Sequence, residues 1–132
     1  MAITDEVRVA LEELRTSFPD SSLTFEETGD GGAWVRVEPV PTGPAFSQGE
    51  TWIAFQIPYS YPEADVYPHF VRPDLARIDG QPLGEGFQQS IGCWTGGTMM
   101  ATQLSRRTNV LDSATNTAAG KLLKVLRWLA DR

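Results

Sequence analysis

The sequence predicts an α+β fold, in which a helix, a four-stranded antiparallel meander, a long irregular segment and a second helix follow one another. Three observations predict it: an apolar stripe of helical period near each end, alternating apolar and polar residues in between, and prolines that separate two of the strands. A run of strands flanked by helices is typical of the α+β class. With 132 residues the chain is long enough for a sizeable core, so we expect one domain over residues 1–132.

The first helix is predicted at residues 4–18. Its apolar stripe consists of Val7, Leu11, Leu14 and Phe18. These positions recur with helical spacing and therefore lie on one face of the helix. Thr4 is suited to cap the N-terminus, and Pro19 ends the helix because proline cannot continue its hydrogen bonding.

Four strands are predicted at residues 22–28, 33–40, 52–58 and 69–72. The first two are joined by residues 29–32, whose glycines favour the positive φ angles of a hairpin turn. In the third strand, alternation places Ile53, Phe55 and Ile57 on one face and Trp52, Ala54 and Gln56 on the other. Tyr61-Pro62 then marks a corner before the fourth strand, because proline interrupts ladder pairing.

From residue 73 to about residue 109 the periodicity fades, and six glycines and two prolines occur. A connection of this length is usually functional, and its apolar residues argue against disorder, so we expect an ordered irregular segment on the sheet.

The last helix is predicted at residues 113–131. Its stripe consists of Ala118, Leu122, Val125 and Leu129, and Asp112 or Ser113 is suited to cap it.

Composition and charge argue against several classes of protein. A net charge of −6 argues against a nucleic-acid-binding protein, which would carry a basic stripe. The single cysteine excludes an internal disulfide and fits a reducing compartment. The first residues show no signal peptide, and no apolar run approaches the ~20 residues of a membrane span. We therefore expect a cytoplasmic protein with no nucleic-acid or membrane partner.

The sequence also lacks the common cofactor motifs. His69 is the single histidine, and no other residue stands at a metal-ligand spacing from it. We expect its ring to be satisfied locally within the fourth strand. Neither a phosphate-binding loop nor a dinucleotide-binding motif occurs, so no cofactor is predicted.

The order of elements and two motifs carry a resemblance to a known family. Residues 52–72 combine an aromatic third strand that ends in proline, a Tyr-Pro corner and a further proline before the fourth strand. Residues 111–114, Leu-Asp-Ser-Ala, lead into the last helix, which carries the run Lys121-Leu122-Leu123-Lys124-Val125-Leu126. Over residues 4–130 the chain resembles the ubiquitin-conjugating enzymes. Residues 103–109 resemble the divergent bacterial branch more than the eukaryotic one. Members of that branch occur in operons with ubiquitin-like proteins and activating enzymes, or in the CBASS antiphage systems.

The resemblance implies transthioesterification. A cysteine thiolate of such an enzyme accepts the C-terminal carbonyl of a ubiquitin-like protein and passes it to an amine. The implied partners are a ubiquitin-like protein, or a nucleotide cyclase whose C-terminus imitates one, and an activating enzyme. Two features depart from the family: its His-Pro-Asn motif does not occur between Arg72 and Cys93, and we expect the fold to lack the family's two C-terminal helices.

The position of the nucleophile stays open between three alternatives. Cys93 is the only thiol and lies after the fourth strand, among glycines that allow a bound tail to approach. The family spacing, about a dozen residues before Ala114, instead points near Thr102, where Ala101 is the nearest small residue. In this alternative Ala101 occupies the catalytic position, as an engineered replacement or a natural loss of cysteine. The third alternative is that neither position is catalytic. Free cysteine is often buried and alanine is often a packed residue, so both also have a purely structural interpretation.

Three downstream residues are candidates for substrate binding. Arg106 and Arg107 would lower a thiol pKa or hold a carboxylate tail, unless they form only a solvated basic turn. Asn109 would donate to an oxyanion in place of the missing asparagine, unless it is a turn or cap residue.

Two other functions compete with thioester transfer. A catalytically inactive relative would keep the fold and act as a scaffold that binds a partner protein. A small α+β chaperone or secretion adaptor would form a dimer on an apolar helix face and have no reactive thiol.

Overall fold

The structure is a computed structural model that describes residues 2–94, 97, 99–108, 111–112 and 115–132. Its elements in chain order are α1 (Asp5–Ser17), β1 (Ser22–Glu27), β2 (Ala33–Pro41), β3 (Glu50–Ile57), β4 (His69–Val71), β5 (Phe87–Cys93), β6 (Met99–Leu104) and α2 (Ala118–Ala130). The α+β class and a helix near each end of the chain are confirmed. Within the described part of the chain, no helix combines the length and the apolar character needed to cross a membrane.

Helix α1 forms as its sequence predicts. The hydroxyl oxygen of Thr4 accepts a hydrogen bond from the backbone N–H of Val7 at 3.1 Å and caps the N-terminus. The helix ends at Ser17, ahead of Pro19. The predicted stripe is buried against the sheet at Val7, Leu11 and Leu14, so this amphipathic pattern was sufficient to place the helix.

The sheet is antiparallel throughout and has the order β1-β2-β3-β4-β6-β5. Its first four strands are the predicted meander. The alternation of β3 is confirmed, because Ile53, Phe55 and Ile57 are fully buried on the face that carries the helices. Ala54 packs on the opposite face, where Trp34 of β2 and Phe70 of β4 surround it.

The prediction of only four strands was wrong. The segment expected to be irregular contains β5 and β6, which form a hairpin, and β6 pairs with the free edge of β4 through His69–Val71. Polar and small residues dominate this hairpin, and a bulge interrupts its register between Ser90 and Cys93. Its strand conformation therefore depends on pairing with β4, which local apolar alternation does not reveal.

Helix α2 starts later than predicted. Its N-cap is Thr117, whose hydroxyl accepts from the N–H of Gly120 at 3.0 Å, rather than Asp112 or Ser113. The phenolic oxygen of Tyr61 accepts a further hydrogen bond from the N–H of Ala118 at 3.1 Å. Thus the Tyr-Pro corner fixes the first turn of α2, which accounts for the position of the helix start.

Candidate functional site

The two predicted nucleophile positions lie side by side on the sheet face that points away from the helices. Ala101 pairs with Ser90 across the β5–β6 hairpin, and Cys93 pairs with Met99. Both Ala101 and Cys93 are fully buried. They belong to a second apolar cluster, the tryptophan cluster, which consists of Trp34, Ala54, Phe70, Cys93 and Ala101 with Trp52, Trp94 and Met99 at its border.

Trp94 closes the tryptophan cluster. Its backbone adopts a φ of 72°, which is uncommon for a residue with a side chain. Its ring centroid lies 6.1 Å from that of Trp34, and its Nε1–H donates to a carboxylate oxygen of Glu26 on β1 at 3.2 Å. These contacts hold the side chain of Trp94 against β1 and β2, at the border of the cluster that contains Cys93.

The environment of Cys93 suppresses its reactivity. Burial raises the pKa of the thiol to about 11, and the charge of Arg36 only partly opposes this rise. At pH 7 roughly one thiol in ten thousand is then ionised, whereas the thiolate is the nucleophile. The cation whose charge acts on this thiol is Arg36, and not either of the candidates Arg106 and Arg107.

Arg106 and Arg107 instead form part of a cleft on the side of the molecule that carries α2. The cleft has a volume of about 250 Å³, and its walls are residues 106–108 and one side of α2. The residues that α2 supplies are Lys121, Lys124, Val125 and Trp128. We call this site the cationic cleft, because four of the seven described residues that line it are basic and none of these seven is acidic.

Both arginines of the cationic cleft rest on aromatic rings. The guanidinium carbon of Arg106 lies 5.0 Å from the ring centroid of Trp128, and that of Arg107 lies 4.7 Å from the ring of Tyr67. Trp128 is held in turn by Phe87, whose ring stacks on it at 5.0 Å. Such stacking restrains the guanidinium planes and leaves their N–H edges available to an acceptor.

A hydrogen-bonded network joins the two walls of the cleft. The Nζ of Lys121 donates to both carboxylate oxygens of Asp65, at 3.0 and 3.1 Å, and to the hydroxyl of Thr108 at 2.8 Å. The N–H of Thr108 donates to Asp65 at 2.7 Å. Burial opposes ionisation of Asp65, but the bonds from Thr108 and Lys121 outweigh it and lower the pKa of the carboxyl. The charge of Lys121 is therefore already compensated.

His69 lies in the core of the helix-bearing face, and its ring centroid is 4.8 Å from that of Phe55. Neither ring nitrogen has a hydrogen-bond partner among the described residues, so the expected local bond is wrong. Burial, followed by the charge of Lys121, lowers the pKa of His69 to about 3, while Asp65 opposes the shift. The imidazole is therefore neutral near pH 7. No group of His, Cys, Asp or Glu in the described ranges could hold a metal ion.

A larger groove, of about 860 Å³, lies near Trp52 on the opposite side of the sheet. Arg72 is the one basic residue among the described residues that line it, and it forms two hydrogen bonds with the carboxylate of Asp74, at 2.6 and 2.9 Å. Its charge is thus compensated within the chain. We therefore regard the cationic cleft as the better candidate for a ligand site.

The structure places the candidate site residues in two separate regions. Cys93 and Ala101 are together, but in a sealed cluster, while Arg106 and Arg107 lie in the cleft with α2. Asn109 lies outside the described residues. Sequence reasoning missed Lys121 and Lys124 as site residues, although their spacing of three and four residues from each other and from Trp128 indicates one face of α2.

Comparison with known protein families, with curated proteins and with solved structures finds no match to this chain.

Proposed function

We propose that this chain is a catalytically inactive ubiquitin-conjugating-like domain that binds a partner protein without forming a thioester. The proposed partner is a ubiquitin-like protein or the C-terminus of a nucleotide cyclase. The proposal rests on the resemblance of residues 4–130 to that family and on one structural observation. Both candidate nucleophile positions, Cys93 and Ala101, are fully buried in the tryptophan cluster.

Burial bears on catalysis at each position. A thioester forms only if the thiolate reaches the carbonyl carbon of the incoming tail. The Cys93 side chain is fully buried, and its raised pKa leaves little thiolate. A cysteine introduced at residue 101 would enter the same apolar cluster, where burial also opposes ionisation. These features favour non-covalent binding over acyl transfer.

A second feature supports a binding role. The cationic cleft presents Arg106, Arg107 and Lys124, none of which forms an ion pair with another residue in the described part of the chain. Cations that are free of internal partners, and restrained on aromatic rings, are suited to contact another molecule. The cleft and the tryptophan cluster are on opposite faces of the sheet, so such contact would not deliver a tail to Cys93.

A thioester assay tests the proposal. The chain, its Cys93→Ser variant and its Ala101→Cys variant would each be incubated with ubiquitin-like partners, an activating enzyme and ATP, and then separated with and without reductant. We expect no reductant-sensitive adduct with any of the three. Non-covalent binding of a partner, measured by calorimetry without ATP, is expected to be equal for the chain and the Cys93→Ser variant.

Two results would contradict the proposal. An adduct on the chain that is lost in the Cys93→Ser variant would make Cys93 a nucleophile. An adduct that appears only in the Ala101→Cys variant would place the active site at residue 101 and identify the chain as a trapped form of an active enzyme.

A further inference from the structure

We propose that the cationic cleft binds a short acidic peptide segment of the partner, in which two or more carboxylates contact Arg106, Arg107 and Lys124. The inference rests on the proposed function in one respect only, namely that the ligand belongs to a protein. It adds the location of the binding site and the chemistry of the ligand.

The cleft arginines differ from most other arginines of the chain. Arg36, Arg72 and Arg77 lie 3.1, 2.6 and 3.2 Å from a carboxylate oxygen of their own chain, and Arg8 forms an ion pair with Asp5. Arg106 and Arg107 have no such partner in the described ranges, although the chain contains 17 acidic residues. Their hydrogen-bonding capacity is therefore free for an external anion.

The geometry of the two arginines suits carboxylates. A guanidinium group that lies over a ring exposes its N–H donors at the edge, where a carboxylate accepts two parallel hydrogen bonds. Arg106 on Trp128 and Arg107 on Tyr67 present two such edges from consecutive residues. Two separated acceptors fit this arrangement better than one terminal carboxylate, and Lys124 supplies a third positive charge.

The remaining parts of the cleft suit a peptide. The partly exposed ring of Trp128 provides apolar surface beside the charges, whereas Val125 lines the cleft but is almost fully buried. The methylene groups of a glutamate, or an apolar side chain beside it, would pack there. The Asp65–Thr108–Lys121 network joins the walls of the cleft and thereby holds the arginine segment against α2.

The distribution of charge favours a short anion over a long one. Residues 105–132 carry six of the 11 basic and two of the 17 acidic residues, which gives them a net charge of +4. Residues 1–104 carry a net charge of −10. A nucleic-acid strand that extends beyond the cleft would meet the negatively charged remainder of the protein, whereas a short acidic segment would contact only the positively charged cleft.

Fluorescence polarisation with a defined probe tests the inference. The probe is a tetramethylrhodamine-labelled octapeptide with four glutamates and an amidated C-terminus, and its matched control has glutamine in place of each glutamate. The protein variants are the double substitution Arg106→Gln/Arg107→Gln and the single substitution Lys124→Gln. The control variant Arg8→Gln/Arg15→Gln makes the same change in charge on the exposed surface of α1.

We expect the glutamate peptide to bind and the glutamine peptide not to bind. The double substitution in the cleft should weaken binding by about fivefold or more, the Lys124→Gln change by about twofold, and the control double substitution by less than about twofold. Binding should weaken with added salt, since the contacts are ionic. Equal thermal midpoints for the two double variants would confirm that both remain folded.

Several outcomes would overturn the inference. Equal binding of the two peptides would exclude recognition of carboxylates, and equal weakening by the two double substitutions would indicate only a general charge effect. Tighter binding of inorganic tripolyphosphate or of an oligothymidylate would assign the cleft to phosphates instead. Failure of the peptide to bind, with no thioester in the preceding assay, would reject this inference and leave the proposed inactive domain intact.

Discussion

Replacement of His69 by leucine should remove a large part of the acid sensitivity of this fold. His69 is the only histidine, is fully buried and has no hydrogen-bond partner for either ring nitrogen among the described residues. The charged groups that affect it are Lys121, which disfavours the imidazolium, and Asp65, which favours it. Leucine has a similar size and cannot be protonated, so the variant isolates the titration of this ring.

The magnitude follows from the difference between the folded and unfolded pKa values. The unfolded chain binds a proton at His69 near pH 6.5, whereas the folded protein binds it only near pH 3. Between these values the unfolded state binds more protons, so the free energy of unfolding falls as the pH is lowered. Each pH unit in this window corresponds to about 1.4 kcal/mol, and the loss between pH 7 and pH 5 is about 2 kcal/mol. Above pH 6.5 the effect disappears.

Urea unfolding, followed by tryptophan fluorescence at pH 7, 6 and 5, measures this effect. The lowered pKa of Asp65 acts below its unfolded value of 3.8 and therefore lies outside the window. We expect the stability of the unmodified chain to decrease by about 2 kcal/mol more than that of the His69→Leu variant over this range. Parallel losses in the two proteins would refute a buried, neutral His69.

Three further changes test the packing of the fold. Gly43→Ala should lower the free energy of unfolding by about 1–3 kcal/mol more than Gly84→Ala. Both glycines have φ angles near +95°, but a Cβ at Gly43 would lie 2.6 Å from the backbone of the last residue of α2, whereas a Cβ at Gly84 would meet nothing. Equal unfolding midpoints in urea would contradict this close approach. Lys121→Met should destabilise the fold by about 2 kcal/mol or more at pH 7, since it leaves the carboxylate of Asp65 without its cation. An Asp65→Asn change in the same background should then restore stability. No recovery would argue against the Asp65–Thr108–Lys121 network. Trp94→Ala should accelerate alkylation of the Cys93 thiol by about tenfold, because the aromatic cover of the tryptophan cluster is lost. An unchanged rate would show that another element seals the cluster.

The parts of the fold that depend on local patterns were predictable from the sequence. The burial of Val35 and Val37 in β2 and of Phe55 in β3 follows directly from their alternation. The cap and stripe of α1 are contained within a few turns of one helix, and Thr4 takes the role that its type suggests. These features depend only on residues that are close together in the sequence.

The parts that depend on long-range contacts were not predictable. Residues 112–117 contain several residue types that cap helices, and the choice of Thr117 depends on contacts with the first turn of α2, which include the hydroxyl of Tyr61. The β5–β6 hairpin is a strand pair because β4 offers an edge.

The candidate site shows the same division. Arg106 and Arg107 were recognisable as a basic pair, but their proximity to Lys124 results from the packing of α2 beside residues 106–108. Trp94 borders the cluster that contains Cys93 and reaches Glu26 on the first strand of the sheet. Neither contact leaves a signal in the spacing of the residues concerned.

Alkylation of native thiols tests most directly whether the two candidate nucleophile positions are sealed. The rate of reaction with iodoacetamide would be measured by mass spectrometry for Cys93 in the chain as it stands, and for the new thiol in an Ala101→Cys/Cys93→Ser variant. We expect both thiols to react only as the protein unfolds, with rates that rise with denaturant along with global unfolding. Reaction of either thiol at the rate of a free, exposed cysteine under native conditions would contradict the inactive domain and place a reactive site in the tryptophan cluster.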